Sequence, residues 1–194
     1  MMSFLAGSLA EFIRALGYHA IPCGNDTALS IPLAIDAGLG QLGRHERLIT
    51  PEFGPLVRLC KVFTDMPLKP DKPIDFGVTE FCEVCKKCAR ACPAGALSFG
   101  SRTFKGPSKS TNPGALKWYS DPEKCLRHWA EIGTNCGICM SVCPFSKGAL
   151  WVHNVIRWFI ENMPSLDPLW AWFDDALGYG AHWDPEEFWE REKS

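Results

Sequence analysis

The sequence predicts an α+β protein assembled from three consecutive parts, and three observations carry that prediction. Helical and strand-like periodicities alternate through residues 1–76. Eight of the ten cysteines fall between Cys82 and Cys143, and all eight tryptophans lie from Trp118 to Trp189. A chain of 194 residues, 46% hydrophobic, can bury a sizeable core and sits at the upper edge of one domain or the range of two small ones. Its formal net charge of −2 gives no global field favouring nucleic acid or an anionic membrane. No apolar run is long enough to span a bilayer. The opening MMSFLAGSLAEFIRALGYH has neither the basic start and small-residue cleavage site of a signal peptide nor a twin arginine.

The elements follow in order. Leu5, Leu9, Phe12, Ile13 and Leu16 recur at helical spacing and predict an amphipathic helix that ends at Gly17, with a short strand at YHAIP behind it. In NDTALSIPLAIDA, Leu29, Leu33, Ala34 and Ala37 predict a second helix, with Asn25, Asp26 and Thr27 as cap candidates. RLIT at 47–50 and LVRLCKVFT at 56–64 read as strands. Residues 77–147 hold the cysteine motifs, separated by the turn-rich GSRTFKGPSKSTNPG. Residues 148–194 read as a tryptophan-rich helical extension, with helices at LWVHNVIRWFIEN and PLWAWFDDALGYG.

Residues 38–43, GLGQLG, match the G-x-G-x-x-G of a dinucleotide-binding loop, and Asp65 lies near the distance expected of a ribose-binding carboxylate. The context is inverted, however. Such a loop follows a strand and opens a helix, so that the pyrophosphate rests on the helix N-terminus. Here a helix precedes the glycines, and Pro51, Gly54 and Pro55 rule one out after them. The glycines therefore end a helix, where positive φ is needed.

FCEVCKKCARACP at 81–93 places Cys82, Cys85, Cys88 and Cys92 before Pro93, in the C-x2-C-x2-C-x3-C-P run of a bacterial [4Fe–4S] ferredoxin. A second constellation, Cys136, Cys139 and Cys143 before Pro144, is one cysteine short, and Cys125 stands eleven residues upstream to complete it. In such runs the fourth cysteine serves the other cluster. Crosswise pairing then assigns Cys82, Cys85, Cys88 and Cys143 to one [4Fe–4S] cluster, and Cys92, Cys125, Cys136 and Cys139 to the other. Disulfides suit short secreted chains and fit closely spaced triplets poorly. Zinc accepts C-x2-C pairs but does not require the full run. Cys23 and Cys60 stand alone and read as small buried hydrophobes.

Taken together, NDTALSIPLAIDAGLGQLGRHERLITPEFGPLVRLCKVFTDMPL, the two cysteine motifs and the ending WFDDALGYG resemble the C-terminal portion of a corrinoid-dependent reductive dehalogenase. The resemblance covers nearly the whole chain. It implies a partial nitroreductase-like corrinoid-binding unit over 1–76, a bacterial ferredoxin-like domain with two [4Fe–4S] clusters over 77–147, and a helical extension over 148–194. It implies reductive cleavage of carbon–halogen bonds in small halogenated organic substrates at a cobalt corrinoid fed by both clusters. No D-x-H-x-x-G motif occurs, so none of the five histidines is set up as a lower cobalt ligand. By the same resemblance Gly38, Gly40, Leu42 and Gly43 belong to the corrinoid loop, where glycines let backbone approach a flat macrocycle.

Asn25 and Arg58 match the family's active-site pattern. Arg58 would sit on an apolar strand between Val57 and Leu59, where a buried guanidinium needs a reason. The resemblance supplies one: support of a tyrosine proton donor whose phenol pKa the arginine lowers. The plainer readings are a helix cap for Asn25 and an ion-pair arginine for Arg58. The tyrosine itself is expected upstream of Asn25, before the start of this chain, and the sequence therefore reads as N-terminally truncated. Trp129 is a candidate for the pocket wall or for ordinary core packing. Implied partners are an upstream electron donor and a small membrane-anchor protein holding the enzyme on the outer face of the cytoplasmic membrane, with no nucleic acid. Three other readings share parts of the pattern: epoxyqueuosine reductase, a cytoplasmic tRNA-modifying enzyme; a plain electron-carrier module with no chemistry of its own; and a ferredoxin-like subunit of a larger complex, in which the basic 102–117 loop docks a partner.

Overall fold

The computed structural model describes residues 1–25, 27–148, 150–180 and 190. Asp26, proposed above as a cap, and the last two tryptophans, Trp183 and Trp189, lie outside them. Helix α1 (Met2–Ala15) packs on a two-stranded antiparallel ribbon of β1 (Ala20–Cys23) and β4 (Lys61–Thr64), in register from Ala20 opposite Thr64 to Cys23 opposite Lys61. The contact is made by small residues: Ala6, Ala10 and Ile13 are buried, while Leu5, Leu9, Phe12 and Leu16 are exposed. The stripe that the periodicity assigned to the core thus faces outward.

Helix α2 (Ser30–Asp36) has Leu29 at its N-cap, with no side-chain cap hydrogen bond from that residue. It ends as the glycine argument requires. Gly38 has φ +69°, the Leu39 N–H donates to Ala34 O and the Gly38 N–H to Ile35 O, which together make a Schellman stop. A short hairpin follows, with β2 (Gln41–Leu42) paired to β3 (Leu48–Ile49) across the turn 43–47. The strand expected over 56–64 forms only from Lys61. Its partner β1 is four residues long and its ladder ends at the Cys23–Lys61 pair, so residues 56–60 have no strand to join.

The rest of the chain is helical around the cysteines. Helix α3 (Val78–Cys85) stops at Lys86, which adopts φ +50°, and α4 (Lys87–Ala91) restarts at once. Helix α5 (Pro122–Ile132) is capped by Asp121, whose carboxylate accepts the Lys124 N–H at 3.1 Å. Then come the one-turn helix α6 (Ile138–Ser141), α7 (Trp151–Asn162) and α8 (Asp167–Ala176). The main core joins these elements to the hairpin through Ile49, Val78, Phe81, Trp118, Phe145 and Ile160. Phe81 and Phe145 meet edge to face at 5.5 Å. Buried Lys87 ties α4 to α8 through Asp174 at 2.5 Å and Asp175 at 3.0 Å. Among the described residues no helix is long and apolar enough to cross a membrane.

Candidate functional site

The helix break at Lys86 separates the cysteines of the first motif. Cys82 and Cys85 ride on α3, Cys88 on α4, and Cys92 ends α4 in extended backbone before Pro93. Cys82, Cys85 and Cys88 line one cavity together with Cys143 from the second motif. All four are buried. Burial pushes the Cys82 and Cys88 thiols up to about 12 and the Cys143 thiol well above its ordinary value, and the neighbouring thiols of the set push in the same direction. Four thiolates cannot be held in such an interior without compensating positive charge, which iron supplies to a thiolate-ligated cluster.

Cys92, Cys125, Cys136 and Cys139 form a second group. Burial raises the Cys125 thiol first and its neighbours Cys92 and Cys136 raise it further; Cys139 likewise feels Cys136, Cys92 and Cys125. These four are only partly buried. The groups adjoin, since Cys88 and Cys139 act on one another across them. Among the described residues, no three or more Cys, His, Asp or Glu converge tightly enough for a single metal ion. A cubane asks for something wider, because each thiolate binds a different iron.

Beside the second group lies an open groove of ≈ 750 Å³. Asn25, Leu42, Arg47, Arg58 and Met140 all contribute to its wall. Arg47 also lowers the pKa of Cys125 and Cys139, so it spans the space between the groove and those thiols. Arg58 is exposed and outside any strand, not buried on one as expected. Its reason for being there is the groove rather than the core. Asn25 accepts the Ser30 hydroxyl at 2.7 Å, and Lys61 fastens the same loop by donating to Ala28 O and Ser30 Oγ, both at 2.8 Å, and to Gly24 O. Lys61 reads as an ordinary strand residue in the sequence, and only this fold reveals it as the anchor of the Asn25 loop.

Of the loop residues expected to meet a cofactor, Leu42 lines the groove and the three glycines do not. They make room for the protein itself. A Cβ on Gly38 would come within 2.7 Å of Lys72 O, one on Gly40 would fall on the Ile49 carbonyl, and one on Gly43 would meet Ile49 Cδ1 at 2.6 Å and His45 Cε1 at 2.9 Å. At Gly40 the backbone of β3 comes so close that only a residue without a side chain fits. Trp129, on α5, does not line the groove either. The 102–117 loop is largely exposed; within it Ser110, Thr111, Asn112 and Lys117 wall the groove, and Lys117 pairs with Glu46 at 2.7 Å.

The turn 43–47 was unremarked in the sequence and proves central. Glu46, at φ +55°, grips the segment 117–120 by accepting from Lys117 Nζ, the Ser120 N–H at 2.9 Å and the Ser120 hydroxyl. Arg44 and His45 turn the other way and line the cavity of the first cysteine group. Burial holds the His45 imidazole down to about 4, helped by the charge of Arg47, so it is neutral.

Residues 81–147 match the 4Fe–4S dicluster domain family. Over 94% of its length the chain is 56% identical to a tetrachloroethene reductive dehalogenase of Sulfurospirillum multivorans. The chain belongs to the reductive dehalogenase family. It spans 36% of the length of that relative. A solved structure described as a reductive dehalogenase that suggests a mechanism for B12-dependent dehalogenation superposes with a TM-score of 0.77 and 33% identity, over 90% of this chain and 25% of that one. An epoxyqueuosine reductase of Listeria monocytogenes is more distant, 31% identical over 61% of the chain.

Proposed function

We propose that this chain supplies the electron-delivery unit and one wall of the corrinoid site of an enzyme that reductively removes halide from small organohalides of the chlorinated ethene type. The observation that carries the reading is the groove: Asn25 and Arg58, from separate segments, share it with Arg47, which also reaches the second cysteine group. In this reading Cys82, Cys85, Cys88 and Cys143 hold one [4Fe–4S] cluster. Cys92, Cys125, Cys136 and Cys139 hold the other, which lies next to the groove.

A corrinoid in the groove supplies a cobalt centre able to accept electrons and break a carbon–halogen bond. The chain's own residues do the rest. Leu29, Leu42, Leu48, Val57 and Leu59 give the groove apolar walls that exclude water and suit a substrate with little to hydrogen-bond. Arg58 presents a permanent cation that lowers the pKa of a phenol donor and holds its conjugate base. Asn25, fixed by Ser30 and the Lys61-bound loop, orients the same proton-bearing group. Arg47 stabilises negative charge at the cluster nearer the groove.

Residues 1–76 then form part of a nitroreductase-like corrinoid unit, 77–147 a ferredoxin-like domain and 148–194 a helical extension. An upstream electron donor and a small membrane-anchor protein, on the outer face of the cytoplasmic membrane, complete the system. What supports this placement is the family's respiratory pattern together with the exposed Trp151, Trp158 and Trp172 on α7 and α8. The test is made on a chain extended to its relatives' full length and purified without oxygen. Expected are corrinoid absorbance, close to eight irons per chain and halide release from a chlorinated ethene. A protein with full iron and no corrinoid absorbance would instead be an electron carrier.

A further inference from the structure

We propose that His45 and Arg44 donate hydrogen bonds to sulfur atoms of the cluster held by Cys82, Cys85, Cys88 and Cys143, and thereby raise its reduction potential. The inference rests on the ligand assignment just made. Both side chains line the same cavity as those four cysteines, and both are almost wholly buried, at 1% exposure for Arg44 and 3% for His45.

The other hydrogen-bonding atoms of both side chains are accounted for. Arg44 Nε donates to Cys82 O at 2.9 Å, and Nη1 to Ser98 O at 2.8 Å and Gly100 O at 2.9 Å. The guanidinium lies on the Trp118 ring, 4.6 Å from its centre. Nη2 alone has no hydrogen-bond partner, with the Glu83 carboxylate 3.7 Å away. His45 Nδ1 accepts the Arg47 N–H at 3.2 Å, which assigns the ring proton to Nε2. Nε2 is buried and has no partner either.

A buried N–H without a hydrogen-bond acceptor is costly, and two on consecutive residues that line one cavity call for a shared explanation. The acceptors this cavity would offer are cluster sulfides and cysteine sulfurs. The geometry is also held in place. Gly43 has no side chain where the His45 ring passes, and the Arg47 N–H locks the ring's far side, as an outer-sphere partner of a metal site is commonly locked. A donor to cluster sulfur stabilises the reduced, more negative state over the oxidised one, so the potential rises.

The experiment is an EPR-monitored redox titration of the anaerobic holoprotein, with pulsed EPR of the reduced clusters in H2O and D2O. His45→Phe keeps a flat ring and removes the Nε2–H; it is expected to lower the midpoint of one cluster and leave the other unmoved. His45→Gln restores an N–H at similar reach and should recover most of the shift. In the unaltered protein an exchangeable proton coupled to the shifted cluster is expected, and it should vanish in His45→Phe. Unchanged midpoints in His45→Phe with full iron would overturn the proposal, as would equal shifts in both clusters. Should His45→Phe lose iron, the wild-type signal decides: no exchangeable coupling means the two side chains are structural only. Fewer than eight irons in the unaltered protein is a separate failure, one of the ligand assignment itself.

Discussion

Residues 1–64 and 77–180 solve the problem of burial in opposite ways. The later region closes on itself: Phe81, Trp118, Phe145 and Ile160 are almost fully enclosed, and the cysteine groups sit within or against that enclosure. The earlier region's own cluster is small, Ala10, Ile13 and Ala20 with Val62 and Met66 packed against them; its hairpin residue Ile49 is buried in the later region's core instead, and Phe4, Leu5, Leu9 and Phe12 are left exposed. A two-stranded ribbon under one helix is marginal by itself. Each large apolar side chain left exposed forgoes roughly 1.5–3 kcal/mol of burial. What the contrast teaches is a division of labour. The cysteine region holds the main core, with Ile49 and Arg44 of the hairpin built into it, and presents its cysteines from that core. The N-terminal region is a set of surfaces, one of which is the groove and another an apolar face of the kind that meets further protein.

The largest expected effect tests whether the cysteine region is really two independent groups. Cys125→Ala should remove or convert one cluster only, so iron falls from about eight toward about four per chain. Retention of all the iron would take Cys125 out of the ligand set. The next probes the groove from the N-terminal side. Arg58→Lys, in a chain of the relatives' full length, keeps the charge and loses the planar fork. Turnover should drop by about a hundredfold, the scale of general acid–base assistance, with cluster and corrinoid content near normal. A near-normal rate would return Arg58 to a solvent-facing cation.

Smaller effects sharpen the boundary between the regions. Gly40→Ala places a methyl on the Ile49 carbonyl where the hairpin meets the main core. It should cost about 3 kcal/mol, read as a lower denaturant midpoint. Corrinoid affinity should follow only through that loss of stability, because Gly40 is not on the groove wall. The smallest effect belongs to Asp167, buried at the start of α8. Burial first, and Glu80 second, push its carboxyl up to about 6. A carboxyl raised in the folded state favours folding fully below its ordinary pKa of 3.8, and that contribution is lost as pH rises through about 6. Asp167→Asn should therefore melt later than the parent at pH 7.5, by on the order of 1 kcal/mol, and show little difference near pH 4. Equal melting at both values would mean the carboxylate has found compensation.

Much of this was already legible in the residues. The cysteine motifs and the two prolines behind them are matters of spacing along a few turns of chain, whereas Cys143 meets Cys82, Cys85 and Cys88 only in the folded cavity. Helix ends are equally local, as the stop at Gly38 shows, because they depend on one backbone angle that glycine adopts freely. Tertiary structure decided what long-range approach decides. Arg58 left its expected strand because the β1–β4 ladder ends at Cys23 opposite Lys61, three residues beyond it. Gly40 and Gly43 of GLGQLG leave room for Ile49 of β3, and Gly38 for the Lys72 carbonyl, which no spacing along the chain announces. His45 and Arg44 gained their place only when residues 82–88 and 143 closed around them. Ligand chemistry is written in neighbouring residues, but which buried nitrogen is left without a partner depends on every segment packed around it, and that is a property of the folded whole.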